Sequence, residues 1–107
     1  MEAGSDDVEL GGNIILSGFR EIDGATMIIL KKIVGNYAKK FSERCTNFEK
    51  LILTIKTVHR TEKSEKYELH GKLLHDGKQN FAEEIDRNLF VAADKILKRL
   101  ENSILNI

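Results

Sequence analysis

The sequence predicts an α+β fold: a two-layer sandwich of order β-α-β-β-β-α, with two helices on one face of a four-stranded sheet. Three observations lead there. Two segments alternate apolar residues with a period of two, a short isoleucine-rich run and a segment after a tight turn read as further strands, and two others have a helical period, which sets the order of elements. Each helical segment carries one apolar stripe, and each stripe needs a partner, which a shared sheet face supplies. At 107 residues with 41% hydrophobic composition, the chain has the size and the core content of one domain.

The elements follow in order. Residues 1–12, "MEAGSDDVELGG", contain three glycines and no apolar periodicity, and read as a flexible acidic leader ahead of a single domain over 13–107. "NIILSGF" (Asn13–Phe19) is short and rich in isoleucine, as a buried strand is. Asp23 can accept from the free amides of a first helical turn and marks an N-cap. From Ala25 to about Arg44, Leu30, Ile33, Val34, Tyr37, Ala38 and Phe41 fall on one side of a helix. Gly35 lies within that run.

"FEKLILTIKTVHR" (Phe48–Arg60) and "EKYELHGKLLH" (Glu65–His75) alternate at Leu51, Leu53, Ile55 and at Tyr67, Leu69, Leu73. They form a hairpin across the charged "TEKS". Asp76-Gly77 is a preferred pair for a tight turn. It leads into "QNFAEEID", a further strand with Phe81 and Ile85 on one face. "DRNLFVAADKILKRL" then starts with a polar cap at Asp86 and runs as a helix from about Arg87 to Asn102. Leu89, Phe90, Ala93, Ile96, Leu97, Leu100 and Ile104 form its stripe.

Composition excludes several classes. A lone cysteine, Cys45, forms no internal disulfide and suits a reducing compartment. No apolar run reaches the length of a membrane span, and the acidic N-terminus lacks the order of a signal peptide. A cytoplasmic protein is expected, with no membrane partner. His59, His70 and His75 lack metal-ligand spacing, and His70 and His75 differ in strand parity. Cys45 has no base beside it, and no glycine-rich phosphate loop occurs. Nothing points to an enzyme, a cofactor, a metal or a small-molecule substrate.

Charge is more telling. The net charge is zero, but residues 1–12 hold Glu2, Asp6, Asp7 and Glu9 without a cation, so residues 13–107 carry +4. At 100° per residue, Lys32 and Lys39 point away from the first helix's apolar arc, flanked by Lys31 and Lys40. On the last helix Lys95 and Lys98 lie opposite the stripe, Arg99 lies at its edge, and Arg87 falls in the first turn, where the dipole disfavours a cation. With both helices on one sheet face, these side chains make a basic ridge suited to phosphate.

The element order and the last helix resemble the ribosome hibernation-promoting factor family, which includes the ribosome-associated translation inhibitors of the protein Y type. The last helix of that family commonly opens with Asp-x-Tyr-x-Ala-x-Asp. Here Asn88, Phe90, Ala92 and Asp94 hold the same spacing, followed by Lys98, Arg99 and Leu100. The resemblance spans roughly residues 13–104 and implies non-catalytic binding to the small ribosomal subunit. It places the protein on ribosomal RNA in the channel of messenger and transfer RNA, silencing translation or keeping idle ribosomes stable. The RNA-binding residues would be Lys31, Lys32, Lys39, Lys40, Arg87, Lys95, Lys98 and Arg99. Ending at Ile107, the chain reads as a short form, without the C-terminal domain by which long members pair ribosomes.

Two other readings stay open on the residues alone. One is a general double-stranded RNA-binding module. The other is a protein-interaction or self-assembly domain, including a weak homodimer. Its surface would be the second sheet face, where Ile52, Val58 and Leu74 have the parity opposite to Leu51, Leu53 and Ile55.

Overall fold

A computed structural model of the protein describes residues 7–105. The elements are β1 (Val8–Leu10), β2 (Ile14–Ser17), α1 (Gly24–Arg44), β3 (Phe48–Arg60), β4 (Glu65–His75), β5 (Lys78–Asp86) and α2 (Leu89–Leu105). The fold is α+β, and its sheet is mixed, in the order β1-β2-β3-β4-β5. Only β2 and β3 run parallel, joined by α1 as the crossover; the other neighbours are antiparallel.

The sheet thus has five strands among the described residues, where four were expected. The extra one, β1, lies in the segment read as a flexible leader, whose residues 1–6 fall outside the described part. Val8 and Leu10 pack against the core, and Gly11 and Gly12 take φ of 64° and 82° in the turn to β2. The two glycines that suggested flexibility instead supply the left-handed backbone that this turn needs.

The helices cover one face. Asp23 caps α1, its Oδ2 accepting from Thr26 N at 3.1 Å and its Oδ1 from Thr26 Oγ1 at 2.6 Å. Leu30, Val34 and Phe41 are fully buried beneath α1, and Ala92, Ala93, Ile96, Leu97 and Leu100 beneath α2. They meet Leu16, Leu51, Leu53, Leu69 and Leu73, also fully buried, on the sheet. Burial of this apolar area is the main stabilising contribution. Close packing extends to the backbone: a Cβ on Gly71 would overlap Ile96 Cγ2, and one on Gly18 would lie 2.6 Å from the Ile55 carbonyl oxygen.

Two local expectations are corrected. The cap of α2 is Asn88, whose Oδ1 accepts from Phe90 N at 2.9 Å and Val91 N at 3.1 Å. Asp86 instead accepts from Asn88 N at 2.9 Å and closes the preceding turn. Arg87 therefore precedes α2 and does not sit in its first turn. The second correction is Val58, which packs against the core and not on the open face. A register irregularity between Ile55 and Thr57 inserts one residue and inverts the parity beyond it. The Asp76-Gly77 turn forms as expected, a two-residue connection between the paired His75 and Lys78, with φ of 50° and 73°.

The long edge strand β5 is screened on its outer side by Arg99, which donates to Glu83 O at 3.0 Å. An occupied carbonyl and charged neighbours make this edge a poor template for pairing with another strand.

Candidate nucleic-acid interface

The two helices run parallel. Tyr37 on α1 donates its hydroxyl to Asp94 Oδ1 on α2 at 3.1 Å, and Arg44 Nη1 meets Glu101 Oε2 at 3.1 Å, seven residues further along each helix. Their outer sides form one helical layer, and all eight cations named from sequence are exposed on it or at its end.

Their electrostatic surroundings divide them. On α2, Lys95 Nζ lies 3.5 Å from Asp86 Oδ2, and Lys98 Nζ lies 3.1 Å from Asp94 Oδ2. Arg99 Nη2 lies 3.0 Å from Glu84 Oε2, an ion pair that lacks hydrogen-bond alignment. Two of the carboxylates come from the end of β5, where Glu84 and Asp86 share the helix-facing parity of Ala82; the third, Asp94, lies one turn before Lys98 on α2 itself. The Asp86 carboxyl is held below its ordinary range, first by the Asn88 amide and then by Lys95.

On α1 the balance is the reverse. Lys31, Lys32 and Lys39 have no carboxylate within ion-pair distance among the described residues. Lys40 Nζ lies 4.8 Å above the centre of the Tyr37 ring. Arg87 also lacks an ion-pair partner among the described residues, at the opening of a cleft shared with Asp23, Asn88 and Phe90. Ile28 and Ile29 are exposed beside Lys31 and Lys32, an apolar pair that helical periodicity alone did not single out.

The expected ridge is therefore continuous as a surface but uneven in charge. Its unpaired positive side is α1; its α2 side is a row of surface ion pairs. Each such pair is worth only ~0–1 kcal/mol, so its lysine or arginine can exchange a carboxylate for a phosphate, at the cost of that pair.

The four pattern residues on α2 have structural roles here. Asn88 caps the helix, a task that Asp performs equally well. Phe90 packs against the core and Ala92 is fully buried. Asp94 takes the Tyr37 hydroxyl and Lys98, locking the two helices together. Burial, followed by the Asp94 charge, pushes the Tyr37 hydroxyl up to about 12. These residues position the layer and leave contact to the lysines.

The other chemistry-bearing side chains are dispersed. His75 is buried, its Nε2 3.0 Å from Asn80 Oδ1, and Asn80 Nδ2 donates to Ser103 Oγ at 2.8 Å. His70 lies on the opposite sheet face with Glu68 at 2.9 Å and Glu83 at 3.5 Å. Among the described residues no group of three or more His, Cys, Asp or Glu is arranged to hold a metal. Burial raises the Cys45 thiol, which disfavours its thiolate. No described helix is long and apolar enough to cross a membrane. No protein-family model and no curated protein matches this chain.

Proposed function

We propose that the protein binds RNA of the small ribosomal subunit without catalysis, in the cytoplasm, occupying the channel of messenger and transfer RNA and so holding ribosomes idle. The observation that carries this reading is the outer face of α1, where Lys31, Lys32 and Lys39 stand exposed with no carboxylate in ion-pair distance among the described residues. Phosphate neutralises such a face without a base code and without a reaction. The β-α-β-β-β-α order of the elements that follow β1, with the Asn88-to-Asp94 spacing, adds the resemblance to hibernation factors, which selects the ribosome among RNA targets.

In this reading Lys31, Lys32 and Lys39 supply the primary contacts, with Lys40 and Arg87 at the margins. Lys95, Lys98 and Arg99 join by exchanging Asp86, Asp94 and Glu84 for phosphate. The test is co-sedimentation with small subunits at two salt concentrations. Binding is expected to weaken steeply with salt, and Lys32→Glu with Lys39→Glu is expected to abolish it while the melting temperature stays unchanged. Undiminished binding by that double variant overturns the assignment. Equal competition by simple duplex RNA would redirect the reading to a general double-stranded RNA binder.

A further inference from the structure

The face of the sheet away from the helices is uncovered, and its side chains line up in rows across the strands. One row runs through the paired positions Ile15, Ile52, Lys72 and Phe81, on β2, β3, β4 and β5. The next runs through Ser17, Thr54, His70 and Glu83. Between and beside them lies a groove of about 520 Å³, to which Lys56 also contributes.

Phe81 dominates this face. It is 69% exposed, more than any other large apolar side chain among the described residues. It gives little to the core, so folding alone does not account for a phenyl ring at that position. Lys72 Nζ lies over the ring, 5.5 Å from its centre, so a stacking base takes the place of this ammonium and leaves it free for phosphate. Neither Lys72 nor Lys56 has a carboxylate within ion-pair distance among the described residues. Glu83 lines the groove and lies 3.5 Å from His70, which also holds Glu68 at 2.9 Å. An exposed flat ring with one ammonium group over it and a second lysine lining the same groove complements a ligand with a flat π-face and an adjacent negative charge. An unstacked nucleotide has both: its base stacks on an aromatic side chain while its phosphate meets a lysine.

From this juxtaposition we infer that the open sheet face is a stacking platform for single-stranded RNA, with Phe81 under a base and Lys72 and Lys56 on the flanking phosphates. It rests on the ribosomal reading for the choice of RNA as the polymer; its geometry is independent of α1. The two surfaces lie on opposite sides of the molecule, so one protein would meet paired RNA by its helices and a splayed strand by its sheet.

The test is fluorescence anisotropy with a fluorescein-labelled oligouridylate of about ten nucleotides, within the span of a single small binding module, and a duplex RNA of the same length. Phe81→Ala is expected to weaken oligouridylate binding by about tenfold or more, with its melting temperature unchanged because the ring is exposed. Phe81→Tyr is expected to restore binding, and Lys72→Ala to weaken it. Lys32→Glu with Lys39→Glu is expected to leave the single strand bound while removing the subunit, so failure of the α1 reading and failure of the platform are separable. The platform is overturned if wild type does not bind the oligouridylate or if Phe81→Ala binds it as well as wild type does. It is equally overturned if light scattering finds a dimer that Phe81→Ala dissociates, which would make a second copy the occupant.

Discussion

The hydrogen bond from the Tyr37 hydroxyl to Asp94 Oδ1, 3.1 Å across 57 residues of sequence, sets the two helices side by side and in register. Asp94 also holds Lys98 at 3.1 Å, so one carboxylate both joins the helices and neutralises a cation that was expected to be free. The geometry of the helical layer and the unevenness of its charge thus meet at one residue.

Tyr37→Phe removes the donor and is expected to lower stability by ~1 kcal/mol at neutral pH. The folded state raises the Tyr37 hydroxyl from 10.0 to about 12, chiefly by burial and then by Asp94. A raised value means that the neutral phenol's contribution is intact below pH 10 and is lost as the pH rises toward about 12. Urea unfolding of wild type and Tyr37→Phe across that window should find the gap between them narrowing. A constant gap would contradict the assigned role.

Asn88→Ala leaves the Phe90 and Val91 amides without the side-chain acceptor that they now share. A loss of ~1 kcal/mol is expected in chemical unfolding. Asn88→Asp should match wild type or exceed it, since a carboxylate caps as well and suits the positive end of the helix dipole.

Gly71→Ala forces a methyl into Ile96 Cγ2, with Leu100 Cδ1 3.3 Å away. Overpacking of this kind is expected to destabilise by about 1–3 kcal/mol. Ile96→Ala alone should cost about 2–5 kcal/mol through its cavity. The double variant should be less damaged than the two losses added together, because each change relieves the other. Additive losses would show that the β4–α2 contact is looser than described.

Removal of Lys39 should reduce the salt dependence of subunit binding by roughly 0.7–0.9 in the log–log slope, as the loss of one phosphate contact does. Lys98→Ala should change that slope less, because its ammonium already has Asp94. Equal slopes for the two variants would make the α2 cations full participants.

Much of this architecture was legible in the residues. The period of Leu30, Val34, Tyr37 and Phe41 and the alternation of Leu51, Leu53 and Ile55 report which side chains must leave water, and burial follows that pattern. Asp76-Gly77 and Asp23 carry their own local geometry. What misled was local ambiguity. Gly11-Gly12 suits a loose leader and a tight turn equally, and the contacts of Val8 and Leu10 with the core decide for the turn. Val58 changed face because one inserted residue inverts strand parity, and no residue type announces such an irregularity.

The sequence by itself determined the α+β class, the two helices and much of the core, because periodicity and burial are properties of neighbours along the chain; the fifth strand and the sheet's mixed topology came from the tertiary structure. Only the tertiary structure decided which cations are free. Lys98 has Asp94 one helical turn before it, but nothing near Lys95 and Arg99 in sequence sets them apart from Lys31, Lys32 and Lys39. Lys95, Lys98 and Arg99 lie within 3.0–3.5 Å of Asp86, Asp94 and Glu84, while the three α1 lysines have no carboxylate in reach among the described residues. Charge acts through space at a few ångströms: the packing of α2 against β5 sets the distances to Asp86 and Glu84, while the helical turn sets that to Asp94.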